Sequence, residues 1–454
     1  MAESWSSSVD GHLDWNPGSG RAGLAAAVRT AIRDGRWRPG SVVPSTRALA
    51  HDLGVARGTV TRVYADLAAE GYLATSQGAP TRVATAGASP QAAPPGPAAP
   101  PGPRWSFQPG QPDPSLFPRD QWLAAGRRVL DHLPHQAFNQ AEPRGSSVLR
   151  ATLSAYLGRS RGVLADPARL VVCAGFAHAM HVLGRALREL GIEETAFEDP
   201  SLDRFRGVAA AAGLRITGVP VDGAGLVVSE LDSPAVVVTP AHQYPLGVTM
   251  APARRTALTG TGAVIVEDDY DGEFRYDRRP VGALQALAPE RVVYAGTASK
   301  SLAPSLRLAW LVLPRFLVDP VLAAQRDLGT TVALLPQLML ADLISSGAYD
   351  RHVRRCRLEY RSRRDRLVAA LPPDLTPEGI SAGLHLVLRV PMDVEARVPA
   401  AGRRFSVGVG RLSPLWLSLP PSPGGIVVGY GAPTRNAFTP ALGALVEMLT
   451  SLRR

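Results

Sequence analysis

The stretch AVIVEDDY, residues 263–270, runs from apolar residues into a group of acids, and RVVYAGTASK, residues 291–300, runs from apolar residues into hydroxyl groups and a lysine. Each apolar run has the length and the Val-rich composition of a strand that is buried on both faces. In doubly wound sheets, ligands collect at the carboxyl ends of the strands, where the polar residues of both stretches fall. The two stretches therefore predict an α/β fold with a ligand site at one edge of its sheet.

Other strand-length apolar runs, separated by helix-length segments, surround these two stretches. This alternation predicts a mostly parallel sheet that carries helices on both faces. From about Thr331 onward, basic helical sequence and short strands predict a smaller α+β lobe. The additional runs are RLVVCAG (169–175), TAFED (195–199), RITGVPV (215–221), AVVVT (235–239) and LAWLVLP (308–314).

Four side chains at these strand ends have the chemistry that pyridoxal 5'-phosphate requires of a protein. Lys300 would bond to the aldehyde of this cofactor. Asp268 would keep the pyridine nitrogen protonated, and Tyr270, two residues further on, would hydrogen-bond the phenolate oxygen. Arg307, seven residues after the lysine, would clamp the phosphate with its planar guanidinium.

Further groups near the same strand ends would complete a phosphate site. Thr297 and Ser299 offer hydroxyl groups, and the turn that contains Gly175 and Phe176 offers backbone N–H groups at the start of a helix. Taken singly, each of these residues also fits an ordinary cap, turn or surface position. Their order at successive strand ends favours the cofactor site.

The chain is divided by residues 86–103, AGASPQAAPPGPAAPPGP, which consist almost entirely of Ala, Pro and Gly. Such a composition is typical of a semi-rigid linker between folded units. We therefore predict a first domain over residues 1–85 and a second domain over residues 104–454.

The first domain has the pattern of a winged helix-turn-helix. Leu24, Val28 and Ile32 recur at helical spacing, and further helices are predicted from Ser45 to Leu53 and from Ala56 to Gly71. Two short extended runs follow and predict a two-stranded wing.

In a helix-turn-helix, the second helix enters the major groove with its first residues, which contact bases and phosphates. Arg is suited to guanine, and a small residue allows close approach. For any one of these residues, an ordinary solvated helix face is the alternative. The residues expected at double-stranded operator DNA are Arg47, Arg57, Gly58, Thr59, Thr61 and Arg62.

The composition supports a regulator of this kind. The net charge of +10 favours polyanionic partners. Two isolated cysteines and nine histidines show neither a disulfide framework nor metal-ligand spacing, so no metal is expected. No apolar run is long enough to span a membrane, and the polar N-terminus has no secretory pattern, so we expect a cytoplasmic protein.

Residues 26–73 resemble the GntR-type winged-helix domain over nearly their whole length. Together with TPAHQYPLG (239–247), EDDYDGEFRY (267–276) and GTASKSLAPSLRLAWLV (296–312), they resemble the MocR subfamily of GntR regulators. In that subfamily the C-terminal domain resembles fold-type I aminotransferases. The resemblance implies a transcription regulator that forms a head-to-tail homodimer and binds pyridoxal phosphate and an effector, often an amino compound.

The lysine, aspartate, phenol and phosphate arginine of the subfamily fall on Lys300, Asp268, Tyr270 and Arg307. Other positions depart from the subfamily pattern, although Arg204, the expected partner of an anionic effector group, is retained. The departures are Gln140, the turn Ala174–Phe176, Leu202, Leu246 and Val427.

Val427 stands where many aminotransferases have an arginine that binds the substrate carboxylate. Losing such a charge-assisted contact costs roughly 1.5–3 kcal/mol, so little or no transamination is expected. We therefore favour a regulator that senses pyridoxal phosphate or an amino compound. The alternatives are an active aminotransferase tethered to DNA and a cofactor-free dimerisation scaffold, for which the bulky Phe176 is the best argument.

Overall fold

A computed structural model of the chain describes residues 13–76, 78–84, 102–139, 142–276, 281–418 and 424–453. The chain separates into two compact units, residues 1–101 and 102–454. Gln140 and most of the predicted linker lie outside the described residues. Among the helices that are described, none combines the length and the apolar character needed to cross a membrane.

The first unit is the predicted winged helix. Its core is formed by the buried side chains of Leu24, Val28 and Ile32 together with residues of the other two helices. The Ser45 hydroxyl caps the second helix by accepting a hydrogen bond from the backbone N–H of Ala48 at 3.1 Å. The elements are α1 (Gly20–Arg33), α2 (Thr46–Asp52), α3 (Arg57–Ala69) and the antiparallel strands β1 (Leu73–Ala74) and β2 (Arg82–Val83).

The second unit is an α/β domain with two sheets. Its strands are β3 (Trp105–Phe107), β4 (Leu170–Cys173), β5 (Glu194–Asp199), β6 (Arg215–Asp222), β7 (Gly225–Leu226), β8 (Ala235–Val238), β9 (Val264–Asp269), β10 (Val292–Thr297), β11 (Ala309–Val312), β12 (Pro377–Glu378), β13 (His385–Arg389), β14 (Val407–Arg411) and β15 (Gly425–Gly429). Its helices are α4 (Arg119–His132), α5 (Ser147–Arg161), α6 (Phe176–Glu189), α7 (Asp203–Ala211), α8 (Pro252–Thr259), α9 (Arg315–Asp327), α10 (Leu334–Ser345), α11 (Ala348–Ala370), α12 (Met392–Phe405) and α13 (Phe438–Leu452).

The large sheet has the strand order β4-β11-β10-β9-β8-β5-β6-β7. The strands β4, β10, β9, β8, β5 and β6 run parallel, whereas β11 and β7 run antiparallel to their neighbours. Alternate residues of β4 enter different core clusters, with Val171 and Cys173 on one side and Leu170 and Val172 on the other. Burial on both faces explains the near-continuous apolar runs, and the mostly parallel sheet is confirmed.

The smaller lobe contains the second sheet, in the order β12-β13-β15-β14-β3. Its core is formed by residues of this sheet and of the helices α11, α12 and α13. The strand β3 comes from the beginning of the unit and pairs parallel with β14, with Trp105 opposite Val407. The predicted lobe, which began at about Thr331, lacked this N-terminal strand, because its pairing with β14 spans some 300 residues of sequence.

A buried ion pair stabilises the contact between the segment that follows β3 and the smaller lobe. The guanidinium of Arg363, in the basic helix α11, lies 2.5 Å from the carboxylate of Asp113, and both side chains are at most 1% exposed. The backbone N–H of Asp113 donates to the hydroxyl of Tyr360 at 3.0 Å. Although α11 is strongly basic, one of its arginines is therefore a core residue.

We expect Asp113→Ala to lower the free energy of unfolding by about 3–5 kcal/mol, because the substitution leaves the buried Arg363 without its main counter-charge. Urea denaturation of the full chain measures this change. As a control, Asp374→Ala removes the exposed partner of Arg453 and should cost less than about 1 kcal/mol. Equal losses for both variants would contradict the prediction.

Candidate functional site

A cavity of about 230 Å³ opens at the carboxyl ends of the parallel strands in the large sheet. The side chains that the sequence analysis grouped around one cofactor all line it, as does the expected effector residue. These are Gly175, Phe176, Arg204, Asp268, Tyr270, Thr297, Ser299, Lys300 and Arg307.

The register of the strands brings these residues together. Asp268 of β9 lies opposite Ala295 of β10, so the chain leaves both strands at nearly the same level. Thr297, at the end of β10, lies opposite Ala309 of β11, which in turn faces Cys173 at the end of β4. The segments that follow three parallel strands therefore meet at one edge of the sheet.

Lys300 projects into the cavity, where its Nζ donates a hydrogen bond to the carbonyl oxygen of Gly110 at 2.5 Å. Burial lowers the pKa of Lys300, while the carboxylates of Asp268 and Asp271 oppose this effect and Arg204 adds to it. A lowered pKa increases the fraction of neutral amine, which is the nucleophilic form.

Lys300 is the only lysine in the chain, since the other 48 of its 49 basic residues of the Lys and Arg type are arginines. An arginine provides positive charge, but only lysine provides a primary amine that forms a Schiff base. As the sole lysine, Lys300 is marked without any knowledge of the fold, a signal that the strand-end pattern did not use.

Asp268 is one of four acids in residues 267–271, and its surroundings differ from those of Asp269 and Asp271. The Asp269 carboxylate is paired with Arg161 at 2.6 Å, and Asp271 Oδ2 lies 2.8 Å from Nδ1 of His242. Asp268 is 7% exposed, and its carboxylate makes no hydrogen bond with any described residue. This carboxylate is therefore available to a cationic group inside the cavity.

The pKa of Asp268 is raised well above its ordinary value. Burial is the main cause, Lys300 opposes it, and the nearby acids Asp269, Asp271 and Glu198 raise it further. A protonated ring nitrogen beside this carboxylate would add a positive charge that stabilises its ionised form. The donor set of the cavity thus fits pyridoxal phosphate.

The Tyr270 hydroxyl is held by the loop that follows β8. It donates a hydrogen bond to the carbonyl oxygen of His242 at 3.0 Å and lies 3.1 Å from Nδ1 of the same histidine. The fold also brings His385 beside His242 and Asp271, and the ligand-type atoms of these three residues all lie within 4.8 Å of one another. Sequence spacing revealed no such cluster, because its members come from three distant segments.

The turn after β4 forms a concave surface beside Arg307. Gly175 precedes α6 with φ +87°, and no side chain caps this helix, so its first N–H groups face outward. L-residues with a side chain rarely adopt this φ, and a Cβ at Gly175 would also lie 3.0 Å from the guanidinium of Arg307, so glycine is favoured at this close approach. That guanidinium makes no hydrogen bond with the described residues, and together these groups fit an anion such as phosphate.

The neighbouring residues shape the cavity in different ways. The Thr297 hydroxyl donates to the carbonyl oxygen of Leu308 at 3.1 Å and accepts from the backbone N–H of Ser299 at 3.1 Å, which fixes the turn before Lys300. The ring of Phe176 is 9% exposed and packs edge-on against Phe205, with ring centroids 4.6 Å apart. Phe176 therefore forms part of the cavity wall.

Glu198 and Tyr244 also line the cavity, and the sequence analysis did not select them. The Glu198 carboxylate accepts hydrogen bonds from the backbone N–H and hydroxyl of Thr239 at 3.0 and 2.5 Å. Burial raises the pKa of Glu198 to about 7. Glu198 could have been selected from the sequence, because it lies near the end of the strand-like run TAFED.

The first residues of α3 form the candidate DNA surface. Arg57, Gly58, Thr61 and Arg62 are exposed, as is Arg47 on α2, whereas Thr59, the remaining residue expected at the DNA, is partly buried. A Cβ at Gly58 would meet no atom within 4 Å, so the surface is open there. The Thr61 hydroxyl donates to the carbonyl oxygen of Arg57 at 3.0 Å, which leaves its lone pairs facing outward.

Two family models match the chain. Residues 21–83 match the gntR family of bacterial regulatory proteins, and residues 111–396 match aminotransferase class I and II. The fold is also similar to that of LysN, an α-aminoadipate aminotransferase from Thermus thermophilus. The TM-score is 0.68 at 21% identity, over 77% of this chain and 92% of LysN.

Curated relatives share both parts of the chain. The pyridoxine biosynthesis transcriptional regulator PdxR of Corynebacterium glutamicum is 32% identical over 90% of this chain and 91% of its own length. The probable rhizopine catabolism regulatory protein MocR of Rhizobium meliloti is 34% identical over 90% of this chain and 89% of its own length. The chain therefore belongs to the MocR-type transcription regulators, in which a GntR helix-turn-helix domain is fused to an aminotransferase class I and II domain.

Proposed function

We propose that this regulator binds pyridoxal phosphate through Lys300, senses a small ligand at the same cavity, and changes its binding to operator DNA in response. The observation that carries the proposal is the buried carboxylate of Asp268, which lines the cavity beside Lys300 without a hydrogen-bond partner among the described residues. A folded protein rarely leaves a buried carboxylate without a partner unless a ligand supplies one.

Pyridoxal phosphate supplies an electrophilic aldehyde that takes up amines. In this proposal Lys300 provides the amine that holds the cofactor, Asp268 keeps a proton on the ring nitrogen, and the Tyr270 hydroxyl redirects its hydrogen bond from the His242 carbonyl oxygen to the phenolate oxygen. Arg307 and the N–H groups at the start of α6 bind the phosphate. As a supporting comparison, LysN was crystallised in complex with N-(5'-phosphopyridoxyl)-L-leucine.

We also propose that the regulator acts as a head-to-tail homodimer, since helix-turn-helix dimers read paired half-sites. The second unit exposes large apolar side chains on and after α4 that a partner would cover. Leu123 and Leu130 are spaced to lie on one face of α4 and are 57% and 54% exposed, and Phe138 is 58% exposed.

We expect purified protein incubated with pyridoxal phosphate to develop a visible absorption band, because conjugation of the bound cofactor extends to Lys300. Borohydride reduction should then leave about one pyridoxyl group per chain on the Lys300 peptide, as measured by mass spectrometry. Lys300→Arg, which keeps the charge and removes the amine, should abolish both signals.

Any label outside the Lys300 peptide is the internal control, because it reports non-specific reaction. Arg307→Ala should retain the Lys300 label but need a higher cofactor concentration to reach it. A wild-type protein that gives neither band nor label would refute cofactor binding.

For DNA, we expect Arg57→Ala to weaken operator binding about tenfold to a hundredfold and to relax sequence preference, because the side chain would contact a base. Arg47→Ala should weaken binding to all sequences and lower the salt slope by about one, because its partner would be a phosphate. Fluorescence anisotropy with operator and scrambled duplexes across a salt series measures both effects.

Arg403→Ala is the matched control, since it removes an exposed arginine from α12 in the second unit. Its DNA affinity should equal that of the wild type. Unchanged binding by both Arg57→Ala and Arg47→Ala would refute the assignment of this surface to DNA.

A further inference from the structure

A buried histidine and aspartate lie directly beside the hydroxyl of Tyr270. Nδ1 of His242 is 2.8 Å from Oδ2 of Asp271, and both side chains are 2% exposed. The Tyr270 hydroxyl lies 3.1 Å from the same Nδ1 and 3.0 Å from the carbonyl oxygen of His242. One imidazole nitrogen therefore has two polar neighbours, a carboxylate and a phenol.

The carboxylate determines which nitrogen of His242 carries a hydrogen. An ionised carboxylate can only accept hydrogen bonds, so its contact with Nδ1 requires an Nδ1–H group. An aspartate selects the histidine tautomer in the same way in Ser-His-Asp triads. Nδ1 of His242 then has no lone pair that could accept a hydrogen bond from Tyr270.

This tautomer directs the hydrogen of the Tyr270 hydroxyl. Burial, and after it the neighbouring Asp271, raise the pKa of Tyr270 well above its ordinary value, so the phenol keeps its hydrogen. Because Nδ1–H cannot accept this hydrogen, the phenol donates it to the carbonyl oxygen of His242. A ligand in the cavity that Tyr270 lines is the other possible acceptor.

The smaller lobe closes over the pair. Gly383 lies just before β13 with φ +68°, and a Cβ there would lie 2.4 Å from Oδ2 of Asp271 and 2.5 Å from Nδ1 of His242. Any side chain at this position would have to displace one of the two groups. The backbone at Gly383 thus leaves room for the contact between His242 and Asp271.

His385 packs against the pair without replacing either member. Its ring centroid is 5.1 Å from that of His242, and its Nε2 lies 3.1 Å from the carbonyl oxygen of Pro245, so Nε2 carries its hydrogen. Burial lowers the pKa of His385 to about 3, so this ring stays neutral. His385 therefore brings no positive charge that would draw Asp271 away from His242.

We infer that Asp271 and His242 are positioning residues that hold an Nδ1–H group beside the Tyr270 oxygen and thereby direct the phenol hydrogen to the phenolate oxygen of the cofactor. The inference rests on the proposed function, because the acceptor is a cofactor atom. If the phenol donated to Nδ1 instead, the phenolate oxygen would lose this donor. The pair thus acts on the protonation of the bound cofactor through Tyr270.

The test is a pH titration of the visible band in the full chain loaded with pyridoxal phosphate. A hydrogen bond donated to the phenolate oxygen stabilises its ionised form, so losing the bond raises the pH midpoint of the band change. Asp271→Ala frees Nδ1 to accept from Tyr270. Asp271→Asn is the matched control, because it also lacks the charge but its amide oxygen can still accept from Nδ1–H.

We expect the midpoint of Asp271→Ala to lie about one pH unit above that of Asp271→Asn, a tenfold change in the protonation equilibrium. Both variants remove the same charge, so its effect on the other ionisable groups is common to them. The titratable groups around Tyr270 and the pair are Asp268, Glu198, Tyr244, Lys300, His385, Tyr276 and Tyr430.

A second pair of variants shows whether the effect passes through the phenol. In the Tyr270→Phe background, the difference between Asp271→Ala and Asp271→Asn should disappear, because the hydroxyl that the pair directs is absent. A difference that persists there would overturn the inference. Equal midpoints for the two single variants would overturn it as well, while cofactor binding would stand. If the wild-type protein gives no band, the proposed function fails and the inference fails with it.

The tautomer can also be measured in the unmodified chain, so the inference does not depend on the folding of a variant. In protein labelled with ¹⁵N at its nine histidines, NMR chemical shifts distinguish Nδ1–H from a bare Nδ1. The signal of His242 is identified by its loss in His242→Asn. We expect Nδ1 of His242 to be protonated, and a bare Nδ1 in the wild-type protein would contradict the inference.

Discussion

The candidate site depends on a buried carboxylate that the protein itself leaves without a hydrogen-bond partner among the described residues. Asp268 lies at the end of a central strand, where burial and neighbouring acids both disfavour its negative charge. Lys300 compensates in part, but its own ammonium is also penalised by burial. A cationic ring nitrogen would stabilise the Asp268 carboxylate, and an electrophile would react with the neutral amine of Lys300. The arrangement therefore favours binding of a ligand that carries both groups.

The acids around Asp268 show how one local sequence serves different purposes. Asp269 points to the other side of the strand and forms an ion pair with the buried Arg161, so it stabilises the fold. Asp271 lies beside His242, whose carbonyl oxygen accepts the hydrogen bond from Tyr270. Alternation along the strand and the turn that follows it therefore assigns one acid to the core, one to the cavity and one to the support of the phenol.

Much of the cavity could be predicted from the sequence, because the carboxyl ends of parallel strands lie at one edge of a sheet. Asp268, Tyr270 and Lys300 follow strands whose apolar runs are visible in the sequence, so their convergence follows from the fold class. Gly110 could not be predicted at the cavity, because β3 joins the second sheet through a parallel pairing with a strand some 300 residues later. Likewise, no local pattern shows that β11 runs antiparallel to its neighbours or that Leu202 and Val427 meet.

The loss of a carboxylate partner at Val427 has different consequences for an enzyme and for a regulator. An aminotransferase must hold its substrate through every step of turnover, so a missing charge-assisted contact weakens the transition state as well as binding. A regulator needs only a difference in ligand affinity between two of its conformations. The retained cofactor groups together with Val427 at the arginine position therefore support the proposed role in ligand sensing.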